Sequence, residues 1–107
     1  MEEKIWHRHR WPAGVARHLD FPEKPVPALL EETATTHGAL PYLVFQGRPL
    51  SFAEVDRRAN QVAHFLRAAG VVKGDRVALS MPNIPQFPIV YFGILKAGAV
   101  AVAISAA

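Results

Sequence analysis

The residues best suited to chemistry are scattered, and none completes a recognisable set. His7 and His9 stand at i,i+2, with His18 further on. Neutral imidazoles are common metal ligands. A metal site also needs further ligands at matching spacing, and no acidic or thiol partner stands close by. A solvated arm accounts for these histidines. Lys4, Arg8, Arg10 and Arg17 form a basic cluster that could meet phosphate or anionic lipid, but Glu2, Glu3, Asp20 and Glu23 offset it locally. His64 falls on the polar face of a helix. Asp75 follows a glycine in a turn, where turn chemistry explains it. Asn83 lies just past a strand's C-terminal end, where α/β proteins often bind ligands. Helix capping is its simpler role. No glycine-rich phosphate loop and no nucleophilic serine motif is present. The residues therefore supply no catalytic, cofactor-binding or metal site.

The elements that would position such residues are clearer. A chain of 107 residues, half of them hydrophobic, is about one domain with a small core. The net charge of +3 is too modest to suggest nucleic acid, which asks for a concentrated basic stripe. No cysteine is present, which excludes disulfides, thiolate zinc sites and cysteine catalysis and suits a reducing cytosol. The opening MEEKIWHRHRW is too polar for a signal peptide.

Residues 1–24 read as an extended arm with no helical or strand period. They carry Trp6, Trp11, Phe21, Pro12 and Pro22. Two tryptophans on such an arm suggest docking, onto its own domain or across a homodimer interface. Residues 25–107 read as a partial α/β subdomain. Pro27 suits the first turn of a helix, with Val26, Leu29, Leu30 and Ala34 on one face and Gly38 as its stop. Tyr42–Phe45 is a strand. Gln46-Gly47-Arg48 turns it into a hairpin through Pro49-Leu50. Ser51 and Glu54 match a capping box. Behind it Phe52, Val55, Ala59, Val62, Leu66 and Ala69 stripe a long helix, Glu54 and Arg58 are spaced to pair, and Gly70 ends it. Lys73-Gly74-Asp75 turns into a strand over Arg76–Met81.

A helix after Pro85, with Asn83 as its cap, carries Ile89, Val90, Tyr91, Phe92, Ile94 and Leu95 round most of its circumference. Gly98 ends it, and Ala99–Ile104 is a strand. This is a βαβ unit with a parallel strand pair. Between Phe87 and Ala107 the only charge is Lys96. The interruptions at Pro88, Gly93, Lys96 and Gly98 favour a buried helix–strand pair over a membrane span. Helix and strand ask for more cover than the preceding residues supply. The fold class is thus α/β: an N-terminal fragment of a larger domain, with an irregular arm, a short hairpin, helices and a βαβ unit.

Three stretches in order carry a resemblance. "PLSFAEVDRRANQVAHFLRAAGVVKGDRVAL" resembles the first core region of the adenylate-forming (AMP-binding) superfamily. "FGILKAGAVAVAIS" resembles the second, built round Leu-Lys-Ala-Gly, and "MPNIPQF" fits between them. The resemblance spans about Tyr42 to Ile104. With "WPAGVARHLDFPEKPVPALLEE" and "YFGILKAG" it is most similar to bacterial long-chain fatty-acid–CoA ligases. Ala103, Ser105 and Ala106 depart from it: the family usually has proline, Asn or Asp, and proline there.

The resemblance implies a two-step reaction. A fatty-acid carboxylate attacks the α-phosphate of Mg-ATP, giving an acyl-adenylate and pyrophosphate, and the thiol of coenzyme A then displaces AMP. ATP, Mg2+ and coenzyme A are thereby implied for the full-length enzyme, and none for these residues. The resemblance places the family's Ser/Thr/Gly-rich phosphate loop, acidic nucleotide contacts and C-terminal lysine in regions beyond Ala107, so this segment is expected to be inactive alone. The implied partners are the remainder of the ligase chain and the fatty acid, and the arm's Trp6 and Trp11 separately suggest a second copy. Membrane contact is at most peripheral, and the implied compartment is the cytoplasm. Two rival readings stand beside this one: another adenylate-former (an aryl or medium-chain acyl-CoA ligase, or a peptide-synthetase adenylation domain), and a freestanding non-catalytic α/β module that binds a partner.

Overall fold

A computed structural model describes residues 3–106. Glu2, counted above among the offsetting charges, and Ala107 lie outside them. A single 3-10 turn, Ile5–His7, opens the arm. Then come α1 (Val26–His37), β1 (Pro41–Phe45), β2 (Arg48–Ser51), α2 (Phe52–Ala68), β3 (Arg76–Ser80), α3 (Gln86–Lys96) and β4 (Val100–Ile104). The α/β class, the hairpin and the βαβ unit are as the sequence suggests. Among the described residues no helix is long and apolar enough to cross a membrane.

β1 and β2 pair antiparallel, with Phe45 opposite Arg48. Gln46 and Gly47 both have positive φ, at 50° and 77°. That is the two-residue turn whose twist suits a hairpin. β3 and β4 pair in parallel, from Arg76 opposite Val100 to Ser80 opposite Ile104. α3 is the crossover between them.

The strongly apolar surface of α3 is explained by its place. One core gathers Leu30, Val55, Ala59 and Ile89, with Phe92 beside them. A second gathers Leu79, Ile94 and Ala99, with Val90 and Tyr91 beside them. α3 contributes to both, so no single apolar stripe would serve it. Its closest partner is α2. There Gly93 lets the two backbones approach: a Cβ on Gly93 would sit 2.5 Å from Cγ1 of Val62.

Several sequence expectations are corrected. In α1 only Leu30 is buried, while Val26 and Leu29 stay 50% exposed, because nothing covers their side of the helix. Gly38 ends α1 with an ordinary φ of −56°. Its role is close approach: a Cβ there would lie 3.1 Å from that of Ala53, and its carbonyl accepts the Ala53 N–H. Ala63, outside the sequence stripe, is buried in α2, whereas Ala69 is exposed. Ser51 caps α2 by accepting the Glu54 N–H, while the Glu54 carboxylate turns outward to Arg58 at 2.8 Å. Asn83 does not cap α3: Pro85 holds that position, and no side chain accepts there.

Candidate functional site

The parallel pair defines the end of the molecule where ligands of α/β folds gather. Ser80 and Ile104 finish β3 and β4 side by side. The chain then runs through Met81–Pro85 into α3. Asn83 lies in this connection and, with Leu43, Val44, Phe45 and Phe87, borders an apolar recess of about 200 Å³. A larger hollow of about 450 Å³ lies between the hairpin and the first turns of α2 and α3. Arg48 and Arg58 line it, but Glu54 is there too and engages Arg58. The larger hollow keeps one cation in excess, Arg48, and neither hollow presents a nucleophile with its base.

The opposite end of the sheet is a joint. Gly74 N–H donates to the carbonyl of Gly98 at 3.0 Å, and Val100 N–H donates to that of Asp75 at 2.7 Å. The Asp75 carboxylate accepts the Val72 N–H at 2.9 Å, closing its own turn as the sequence suggests. Gly98 has a φ of 82° and lies against Lys73. The Lys-Gly-Asp and Lys-Ala-Gly stretches, more than twenty residues apart, thus meet here.

Lys96 holds the same end of α3. Its side chain is only 6% exposed and reaches Asp56 of α2 at 2.6 Å and Glu31 of α1 at 3.0 Å. Arg67 donates to the Lys96 carbonyl at 3.2 Å. One ammonium therefore ties three helices, and a cation at the last turn also suits the helix dipole. The sequence showed Lys96 only as a lone charge in an apolar run. Its partners lie 40 and 65 residues away, so no local spacing signals them. His64 is on the exposed face of α2, as its position suggests.

The arm's histidines part company. His7 is buried, at 3% exposure, which corrects the reading of a solvated arm. His9 is exposed. The His7 ring meets those of Trp11 and His18 edge-on, at 4.6 and 5.3 Å between centroids. Burial, then the neighbouring His18 and Arg17, hold its pKa below the usual histidine value of 6.5. The 3-10 turn packs against none of the helices or strands, so the expected docking onto the body is not made there. Burial also raises the Tyr42 phenol, whose ring stands edge-on to Phe52.

Among the described residues no three His, Cys, Asp or Glu side chains converge as a metal set. The connection into α3 offers prolines where a phosphate cradle needs backbone N–H groups.

Residues 30–107 match the AMP-binding enzyme family. The long-chain-fatty-acid–CoA ligase of Salmonella typhimurium is 37% identical over 103 residues, covering 94% of this chain and 18% of its own length. The N-terminal domain of FACL13 from Mycobacterium tuberculosis superposes with a TM-score of 0.73 at 38% identity, covering 78% of this chain and 21% of that one. The anthranilate CoA ligase AuaEII, solved with anthranoyl-AMP, superposes with a TM-score of 0.74 at 30% identity, covering 78% and 16%. The chain thus spans under a fifth of the length of the curated ligase that it matches. Two motif regions joined across a parallel strand pair, and a match running through most of the chain, place it: this chain belongs to the AMP-binding enzyme family.

Proposed function

We propose that these residues are the scaffold of a long-chain fatty-acid–CoA ligase. The whole enzyme would activate a fatty acid with ATP to an acyl-adenylate and pass the acyl group to coenzyme A. The observation that carries this reading is the reach of the ligase match. At 94% of the chain it must take in most of the arm, beyond the residues that the family match covers. The chain's own contribution is positional: α2 and α3 brace the parallel pair and fix where its C-terminal ends point.

The test is AMP release by the full-length enzyme with ATP, Mg2+ and coenzyme A, comparing palmitate, octanoate, anthranilate and amino acids. Preference for palmitate supports the reading. Preference for anthranilate would move the enzyme to the aryl ligases, a reading favoured by the likeness to AuaEII. No activation of any carboxylate would leave the partner-binding module, to which the open face of the sheet lends support: Val100, Val102 and Ile104 are all exposed there.

The same proposal divides the chain at Lys24 into arm and body. Ile5, Trp6, Leu19 and Phe21 are exposed along the arm, and Lys24 reaches α1 through Glu32 at 2.5 Å. The arm is then a contact surface for a second copy. Deleting residues 1–24 should reduce a dimer to monomers, and an unchanged oligomeric state would remove this part of the proposal.

A further inference from the structure

His7 is the one polar residue among the buried described residues, and it is in the arm rather than the core. Its Nδ1 accepts the Lys4 backbone N–H at 3.2 Å. That bond requires an unprotonated Nδ1, so the imidazole is neutral with its proton on Nε2. Around it the arm folds on itself. The Trp6 and Trp11 rings stand edge-on to His7, the Trp11 indole donates to the Val15 carbonyl at 2.9 Å, and Arg17 pairs with Glu3.

We propose that the arm is a proton-operated latch: neutral His7 holds residues 3–18 folded on themselves, and protonation at Nδ1 releases them. A proton on Nδ1 would point at the Lys4 N–H, donor against donor, and the bond would be lost. A cation would also be left out of water at the centre of three aromatic rings. The charged and titratable groups facing the ring are Glu3, Lys4, Arg17 and His18, all in the arm. His18, Arg17 and Lys4 oppose a positive charge there. Glu3 favours one, but it is engaged by Arg17 and approached by Arg8 at 3.9 Å.

The sign follows. The folded arm binds the proton more weakly than the released arm, whose His7 titrates near 6.5. The latch is therefore fully closed above pH 6.5 and weakens as pH falls through the window below it. The balance shifts about tenfold per pH unit towards release until the folded form also takes the proton. Release would uncover Trp11 and His7 and lengthen the exposed apolar run that begins at Ile5.

The test is an NMR titration of the protein from pH 8 to pH 4.5, with 13C-labelled histidine and 15N-labelled tryptophan indoles. The expected result is one transition with a midpoint below 6.5, in which the His7 ring and the Trp11 indole move together. His7→Gln should abolish it. His18→Asn removes an opposing charge but leaves the Lys4 bond, so it should raise the midpoint and keep the transition. The proposal is overturned if His7 titrates while the Trp11 indole stays still, if the midpoint is 6.5 or higher, or if His7→Gln keeps the wild-type transition.

Discussion

Gly93→Ala is a severe test of how α2 and α3 pack. By helix propensity alone the change should stabilise α3 by about 1 kcal/mol. The structure predicts the opposite sign. The new Cβ would stand 2.5 Å from Cγ1 and 2.6 Å from Cβ of Val62, and 3.0 Å from the Ala59 carbonyl oxygen. Carbon atoms in contact normally stand about 3.5–4.0 Å apart. Rotating Val62 cannot move its Cβ, and a β-branched residue in a helix keeps essentially one rotamer. The helices must part by roughly 1 Å, which loosens Ala59, Ile89 and their neighbours. Overpacking of this kind costs about 1–3 kcal/mol. With backbone on one side and a fixed Cβ on the other, the upper end applies, and the net loss is about 2 kcal/mol after the propensity gain.

Native-state hydrogen exchange of the α3 amides measures this without requiring the whole protein to unfold in one step. A loss of 2 kcal/mol is close to a thirtyfold faster exchange. Val62→Gly moves the notch to the other helix. It should be costly alone but should offset part of the Gly93→Ala loss, giving a coupling of about 1–2 kcal/mol in a double-mutant cycle. Slower exchange in Gly93→Ala, or additive effects of the two changes, would refute the packing argument.

Three further outcomes are expected. Lys96→Met keeps the stem but removes the ammonium, leaving Asp56 and Glu31 facing each other's charge. The loss should be about 2 kcal/mol in urea melts, below the ~3–5 of a fully buried pair because both carboxylates reach water. Gln46→Asn should raise the melting temperature slightly, by roughly half a kcal/mol of stability, since asparagine tolerates the positive φ of the hairpin turn better. The isolated 107 residues should bind the dye ANS through the open sheet face, and a sharp, reversible melt without dye binding would count against that.

What could be read from the sequence depended on the range of the signal. The Ser51 cap, the Gly70 stop and the Gln46-Gly47 turn are local features, and the chain folds as they indicate. The βαβ unit was legible because two short apolar strands flank a helix with no room for an antiparallel return. Val26 and Leu29 misled because periodicity shows which face is apolar, not whether anything covers it. Asn83 misled because a proline two residues later took the capping position. His7 and Lys96 were illegible for different reasons: the partners of Lys96 lie 40 and 65 residues away, whereas His7 is enclosed by near neighbours, Lys4, Trp6 and Trp11, through an arm fold that has no helical or strand period to announce it. An imidazole or an ammonium in sequence looks like solvent-facing charge until its partners are placed.

The motif resemblance gains a physical meaning at the joint below the sheet. The Lys96-Ala97-Gly98 stretch lies in the second of the two segments that carry the resemblance. Its backbone engages the turn before β3: Gly98 accepts from Gly74, and Asp75 accepts from Val100. These two bonds set Arg76 opposite Val100 and so fix the register of the whole pair. A slip of β4 by one residue would turn Ala101 from the side covered by α3 to the bare side and bring Val100 and Val102 beneath the helix, and it would displace the C-terminal end of β4 against that of β3. Lys96 pins the end of α3 to α1 and α2 from the same place, so the helix cannot follow such a slip. Leu-Lys-Ala-Gly and Gly-Asp are thus two halves of one register lock, and their spacing in sequence is the length of the crossover that the lock closes.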